Sequence, residues 1–160
     1  MILSEKEKVD YIKHIIKRES EVKFVEKLEE YLEKENNLFE KFDWWFFSKI
    51  DEDLDEVYIP WYDPKSHSIR KFKPDFIFWL CKGKNYHIVF VDPKSISFTD
   101  YEYKVDWYKK LFENKEFDSP EKNYKIKVSL YLYTKEKVPQ GYKKYWFENI
   151  EKVLRNCLTM

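Results

Sequence analysis

Two apolar runs joined by a short polar turn are the most constraining segment of this 160-residue chain. The first run, FKPDFIFWLC, contains Pro74 and Asp75, and the second, YHIVFVDPKS, contains Asp92, seventeen residues after Asp75. The KGKN segment between them is typical of a hairpin turn. Antiparallel pairing of the runs brings Asp75, near the start of one strand, beside Asp92 and Lys94 at the end of the other. The sequence therefore predicts a site that holds a divalent metal against a phosphate.

The chemistry of phosphodiester hydrolysis explains these residue types. The reaction requires an activated water molecule and positive charge near the phosphorus and the leaving oxygen, and Mg²⁺ supplies both through hard oxygen ligands, usually one or two carboxylates. Asp75 and Asp92 are suitable carboxylates, and the Pro93 carbonyl could add another oxygen. Lys94 lies two residues after Asp92, so on a continuing strand it projects from the same face towards the water or the phosphate. Acid-x-Lys triplets recur in this chain, but only Asp92 and Lys94 close an apolar strand that follows a Pro-Asp strand.

Periodicity predicts the element order α, β, β, β, β, α, β, α in a single domain over residues 1–160, with no repeat or linker. A capping box at residues 4–7 opens either one helix to about residue 34 or two abutting helices with a break near Ser20. Strands are predicted at 43–50, 56–62, 74–81, 86–91 and 124–134, and helices after a second capping box at 99–102 and after residues 139–141. Because 74–81 and 86–91 are apolar on both faces, they belong at the centre of an α/β sandwich.

The charge distribution gives candidates for contacts with nucleic acid. Acidic and basic residues balance at 30 each, but residues 1–93 have a net charge of −4 and residues 94–160 a net charge of +4. A basic face in the second half follows, unless both halves are simply solvated mixed surfaces. The candidates are lysines on the helix after the Asp-x-Lys, which are Lys104, Lys109 and Lys110, and a face of the 124–134 strand, which has Lys125, Lys127, Tyr131 and Tyr133. The strand face either tracks nucleic acid or packs under the final helix.

Targeting features predict a cytoplasmic protein. Cys81 and Cys157 have no C-x-x-C spacing, and no secretory signal precedes the charged N-terminal segment, so two free thiols are expected. No apolar run approaches the roughly 18–20 residues that a membrane span requires. No membrane association is therefore expected.

Over residues from about 20 to 134 the sequence resembles the PD-(D/E)xK nuclease superfamily. It is most similar to the nuclease domains that terminate type III restriction subunits and related DEAD/DEAH-type helicases. The matching motifs, in chain order, are Glu21 with Phe24, Trp44-Trp45, Ile59-Pro60-Trp61-Tyr62, Phe72-Lys73-Pro74-Asp75-Phe76 and Asp92-Pro93-Lys94. There are two departures: Ser95 stands where glycine is expected, and Pro93 must end regular pairing in its strand.

The resemblance implies a restriction-endonuclease-like αβββαβ core, a central mixed sheet flanked by helices, to which this chain adds a C-terminal helix. It also implies an endonuclease that hydrolyses DNA with Mg²⁺, for which Mn²⁺ can substitute. Asp75, Asp92 and the Pro93 carbonyl would be metal ligands, and Lys94 the catalytic lysine. Glu21 on the first helix would be an auxiliary ligand and catalytic residue, with Glu26 as the alternative.

The resemblance also bears on partners. DNA is the expected substrate, and a restriction subunit or a helicase is a candidate partner. Because double-strand cutting by one such domain usually requires a second active site, a homodimer or partner subunit is a further expectation. Two alternatives stay open: a catalytically silent nuclease-like module that binds DNA or a helicase, and a purely structural interaction domain.

Overall fold

The computed structural model describes residue 16 and residues 18–93, 100–121, 123–134 and 138–159. These residues contain three α-helices and eight strands. The helices are α1 (Glu19–Leu32), α2 (Tyr101–Leu111) and α3 (Ile150–Leu158). The strands are β1 (Trp44–Lys49), β2 (Ile59–Asp63), β3 (Ser68–Phe72), β4 (Phe76–Lys82), β5 (Asn85–Pro93), β6 (Phe117–Asp118), β7 (Lys125–Tyr133) and β8 (Trp146–Phe147).

A mixed sheet of six of the described strands forms the centre of the molecule. Its order is β1-β4-β5-β7-β6, and β8 adds to β7. β4 is antiparallel to both β1 and β5, whereas β5 and β7 are parallel. β2 and β3 form a separate antiparallel pair. The expected α/β class is confirmed: a central mixed sheet has helices on its two faces, and a helix ends the chain.

β4 and β5 lie at the centre of the sheet because they are apolar on both faces. Of the seven β4 residues, five are buried. Alternate residues enter two different cores: Phe76 and Phe78 pack with α1 and α3, and Ile77 packs with α2. A strand of this composition requires a helix on each side, so the predicted central position of 74–81 and 86–91 is confirmed.

The predicted hairpin is present, with β4 and β5 in antiparallel register. Lys82 pairs with Asn85, which leaves a two-residue loop. Gly83 has φ +59°, a left-handed conformation that glycine adopts without steric cost. The Asp43 carboxylate accepts a hydrogen bond from the Gly83 N–H at 2.7 Å. The loop and its register are thereby fixed.

The hairpin β2–β3 was not expected from the sequence. β2 leaves the main sheet and pairs with β3, whose residues SIRKF are exposed at four of five positions. Without alternation of buried and exposed residues, β3 gives no strand signal. The two-residue strands β6 and β8 are too short for such a signal. The helix predicted after residues 139–141 begins only at Ile150, and Phe147 lies in β8.

The helices agree better with the sequence, apart from the start of α1. α1 begins at Glu19 after an extended Arg18 (φ −88°, ψ 130°), so a single uninterrupted helix to residue 34 is wrong. The capping box at 4–7 lies outside the described residues, as does Thr99 of the second; Asp100 is the N-cap of α2. The Asn149 side chain caps α3 by accepting from the Lys152 N–H at 3.1 Å. Among the described helices, none has both the length and the apolar composition to cross a bilayer.

Candidate active site

Asp75 and Asp92 lie opposite each other at the end of the β4–β5 hairpin. The last register pair of the hairpin is Phe76 with Val91, so the next position outward pairs Asp75 with Asp92. The Ile50 N–H donates to the Asp75 carbonyl at 2.8 Å, which extends the ladder from β1 across this position. The side chains of this carboxylate pair are buried: Asp75 is 4% exposed and Asp92 1%. The register thus puts the two aspartates at adjoining strand ends, and their joint role as metal ligands stays a prediction.

Strand alternation sets the face on which the carboxylate pair lies. Ile77 and Phe90 belong to the core under α2, and side chains two residues apart in a strand share a face. Asp75 and Asp92 therefore lie on the α2 face. Ile50 and Leu132 flank the pair in the neighbouring strands, and both belong to the same core. The apolar surroundings lower the local dielectric, which strengthens any electrostatic interaction there.

The pair requires positive charge nearby, because a buried carboxylate is stable only when it is paired or coordinates a metal. Two carboxylates at adjacent positions also repel each other, so they require more positive charge than one carboxylate does. Lys104 of α2 lies on the same side of the sheet, half-buried, with its ammonium 4.9 Å from the Phe72 ring centroid and 5.8 Å from that of Trp61. The expected catalytic residue Lys94 lies outside the described residues.

Glu21 is held on the opposite face. It lies in the first turn of α1, whose Phe24, Val25 and Leu28 pack in the core with α3. Its carboxylate, 4% exposed, is 2.8 Å from the Lys49 ammonium and 3.7 Å from the Arg18 guanidinium. The alternative residue, Glu26, is exposed on α1. Among the described residues, Asp75 and Asp92 thus lie at adjoining strand ends, whereas Glu21 lies on the other face of the sheet.

Within the described ranges, no group of three or more His, Cys, Asp or Glu side chains is arranged to hold a metal ion. The donor set offered by these residues is therefore two carboxylates, with the Pro93 carbonyl one position beyond Asp92 at the end of β5. Two hard oxygen donors suit Mg²⁺, which keeps several water molecules and commonly uses one or two protein carboxylates. The residues present fit such an ion.

Lys49 is a residue that sequence reasoning missed. It ends β1 opposite Phe76, and its ammonium lies 5.4 Å from the centroid of that ring. Nothing in the run DWWFFSKI distinguishes this lysine from a solvated strand end. Its position follows from the pairing of β1 with β4, which puts Lys49 on the α1 face beside the first turn of α1.

The remaining predicted DNA-contacting lysines lie away from the carboxylate pair. Lys125 ion-pairs with Asp118 at 2.6 Å, and Lys127 with Glu116 at 3.6 Å. Lys125 is seven residues before Leu132, the neighbour of Asp92, which is about 23 Å along the strand. Lys109 pairs with Asp106 at 2.9 Å. Tyr131 and Tyr133 are buried in the core that includes α3, as the packing alternative predicted.

A cleft of about 640 Å³ is also remote from the pair. It lies at the outer edge of β7, between the short strands β6 and β8. Between β6 and β8, the Tyr108 hydroxyl donates to the Val128 carbonyl of β7 at 3.0 Å. Burial raises the pKa of Tyr108. Tyr108 thus takes the place of a strand partner and protects the open edge of the sheet.

Comparisons with known proteins place the chain in a family. No curated protein and no solved structure matches the sequence. A match is found at the level of families: residues 12–152, which include every strand of the central sheet and the carboxylate pair, match the YagJ family. The chain therefore belongs to the YagJ family.

Proposed function

We propose that the chain is a metal-dependent endonuclease that hydrolyses DNA phosphodiester bonds and is similar to PD-(D/E)xK nucleases. The observation that supports this proposal is the register of the β4–β5 hairpin, which sets two buried carboxylates opposite each other after a Pro-Asp. A structural role explains one buried aspartate with a cation beside it. It explains less well why two should share one end of an apolar hairpin.

Asp75 and Asp92 would hold a Mg²⁺ or Mn²⁺ ion, with the Pro93 carbonyl as a further oxygen donor. When bound, such an ion lowers the pKa of a water molecule and neutralises charge on the phosphate. The apolar residues around the pair exclude bulk water, which keeps the carboxylates oriented. Lys94, two residues after Asp92, would hold the phosphate or orient the attacking water. Glu21 is proposed as a positioning residue at most, because Lys49 holds its carboxylate.

The test is nicking of supercoiled plasmid DNA with Mg²⁺ or Mn²⁺. Asp75→Asn, Asp92→Asn and Lys94→Ala should each reduce the rate by roughly a thousandfold, the equivalent of several kcal/mol of lost transition-state stabilisation. Asp118→Asn is the matched control, because Asp118 is an exposed carboxylate at the far edge of the sheet. Full activity in Asp92→Asn or Lys94→Ala would refute the assignment of the site.

Wild-type protein that binds DNA but does not nick it with either metal would instead favour the catalytically silent module. If cleavage is observed, linearisation distinguishes single-strand from double-strand cutting. Sedimentation of the protein with and without DNA then tests the homodimer that double-strand cutting is expected to require.

A further inference from the structure

The exposed hydrophobic side chains are concentrated around the β2–β3 hairpin. Among the described residues, nine large hydrophobic side chains are exposed. Six of them lie on this hairpin, on the segment that leads into it, or on the adjoining first turn of α2: Leu54, Val57, Tyr58, Tyr62, Ile69 and Tyr103. Exposed apolar side chains that cluster in this way mark an interaction surface more often than a solvated one. We call residues 59–72, the β2–β3 hairpin, the arm.

The arm has two different faces. Ile59, Trp61 and Phe72 are buried against α2, where Trp61 stacks on Tyr103 at 6.4 Å. The opposite face presents a cross-strand pair, Tyr62 (38% exposed) and Ile69 (62% exposed), next to the last register pair before the tip. The inner face packs on α2 and keeps the two-stranded ribbon rigid. The outer face is exposed and can contact a partner.

The tip of the arm is held in one conformation by Asp63, whose side chain is 5% exposed. Its carboxylate accepts from the Lys65 N–H at 2.9 Å and from the Ser66 hydroxyl at 2.7 Å, and lies 2.8 Å from the Arg70 guanidinium. These contacts, the Ser66 hydrogen bond first, hold the pKa of Asp63 below its ordinary value. A preorganised tip loses little conformational entropy on binding.

Charge is separated along the arm. Residues 59–72 contain three basic side chains and one acidic side chain, whereas five of the six residues at 51–56 are acidic. The acidic segment is tied to the base of the arm, because the Lys73 ammonium donates to the carbonyls of Glu52 and Asp55, and Lys71 pairs with Glu56 at 3.1 Å. The tip lies about 14 Å from that base along β2. Of the three cations, Lys71 lies at the base, whereas Lys65 and Arg70 lie towards the tip with Asp63 as the one acidic residue of the arm, so the tip is less acidic than the base.

The position of the arm relates it to the carboxylate pair. Its last residue, Phe72, precedes Asp75 by three positions, and its tip contacts the start of α2 through Lys65 and Asp100, 2.7 Å apart. The Lys65 side chain is 72% exposed. Because exposed ion pairs contribute little free energy, Lys65 can exchange Asp100 for a phosphate.

We propose that the arm is the element that contacts duplex DNA, with Lys65 at the tip on a phosphate and Tyr62 and Ile69 in a groove. A two-stranded ribbon fits the major groove, and apolar side chains of DNA-binding arms also insert at base steps of the minor groove. This inference rests on the proposed function, because the arm would hold the duplex DNA that the carboxylate pair is proposed to cleave.

The test measures the affinity of the full chain for a short fluorescein-labelled DNA duplex by fluorescence anisotropy in EDTA, so that no cleavage occurs. The double variant Tyr62→Ser, Ile69→Ser should bind roughly tenfold more weakly, equivalent to ~1.4 kcal/mol. Tyr124→Ser, Phe117→Ser is the matched control, because these side chains are 41% and 38% exposed at the opposite edge of the sheet. The control should bind as the wild type does.

A second variant keeps the test decisive if the double variant folds poorly. Lys65→Ala removes one cation and leaves the Asp63 contacts to the Lys65 backbone in place. The slope of log affinity against log salt should become shallower by about one. An unchanged slope together with unchanged affinity of the double variant overturns the inference, as does equal weakening of the control.

Failure of the inference is distinguishable from failure of the proposed function. Arm-dependent duplex binding without nicking in Mg²⁺ or Mn²⁺ supports the arm and refutes the nuclease. Nicking by the wild type with full duplex affinity in the arm variants supports the nuclease and refutes the arm. If the arm variants change self-association on gel filtration and leave DNA affinity intact, the arm is a protein interface instead.

Discussion

Two sets of buried carboxylates at one end of the sheet differ in how many carboxylates they contain. On the α1 face, Glu21 lies 2.8 Å from the Lys49 ammonium, so a cation of the chain satisfies it. On the α2 face, Asp75 and Asp92 occupy opposite positions of β4 and β5. Burial alone therefore does not mark a metal ligand. A single carboxylate beside a lysine is a structural pair, whereas two adjacent carboxylates are the donor set that we propose for a divalent cation.

The largest effect is expected from breaking the structural pair. Lys49→Met removes the principal cation beside a carboxylate that is 4% exposed. We expect a loss of about 2–4 kcal/mol in the free energy of unfolding, since an uncompensated buried charge is costly. Urea denaturation measures it. The double variant Lys49→Met, Glu21→Gln should recover most of the loss.

An exposed pair on the same helix is the control for that experiment. Lys23 and Glu19 are 62% and 82% exposed and form an i, i+4 pair. Lys23→Met should change the free energy of unfolding by less than about 0.5 kcal/mol. Equal effects of Lys49→Met and Lys23→Met would show that the contact with Glu21 contributes no more than a surface pair.

A second prediction concerns the response of stability to metal. If the carboxylate pair binds Mn²⁺, the ion at a hundred times its dissociation constant should stabilise the wild type by about 2.7 kcal/mol. Lys49→Met should keep this increment, because its defect lies on the other face. Asp92→Asn should lose it. Thermal unfolding with and without Mn²⁺ provides the comparison, and retention of the increment in Asp92→Asn contradicts a metal site at the pair.

The sequence predicts the α2-face site better than the α1-face pair for a physical reason. Asp75 and Asp92 lie in one hairpin, whose register follows from a tight turn and two apolar runs. Glu21 and Lys49 are 28 residues apart in different elements, and their contact depends on how α1 packs on β1. Local pairing can be inferred from spacing, whereas tertiary packing of a helix on a sheet cannot.

The same distinction explains the arm. β3 is exposed on both faces except at Phe72, so it has no hydrophobic pattern, and its pairing with β2 depends on the turn at residues 64–67. Asp63-Pro64-Lys65-Ser66 indicates a turn, and this much could be predicted. The sequence does not indicate that the turn closes a second hairpin, because the strand after it lacks apolar alternation.

A third prediction uses a buried ionisable group at the other end of the α1 face. His87 of β5 is 1% exposed, and burial, followed by the nearby Lys127 charge, holds the pKa of His87 below its ordinary value of 6.5. Below pH 6.5, His87 binds a proton in the unfolded chain but not in the native protein. Stability should therefore fall as pH drops below about 6.5, by at most ~1.4 kcal/mol per pH unit from this residue.

The measurement is urea denaturation between about pH 5 and pH 7 for the wild type and His87→Phe. The variant should have a shallower dependence of the unfolding free energy on pH, whatever its absolute stability. An unchanged slope would mean that His87 is protonated in the native protein, and that the α1 face tolerates a charge without a carboxylate beside it.

The smallest expected effect is the change in stability on Asp92→Asn. The direction of this change compares the carboxylates of the two faces directly. In metal-free protein, Asp92→Asn removes one of two adjacent buried carboxylates and keeps the side-chain shape. Relief of the repulsion between the two carboxylates should offset the loss of the contacts that Asp92 makes, so the free energy of unfolding should change by no more than about 1 kcal/mol. Urea denaturation in EDTA measures it, with Asp118→Asn as the exposed control. A loss of 2 kcal/mol or more, on the order expected for a broken buried pair, would mean that the contacts of Asp92 within the chain outweigh the repulsion, and the two faces would then be equivalent.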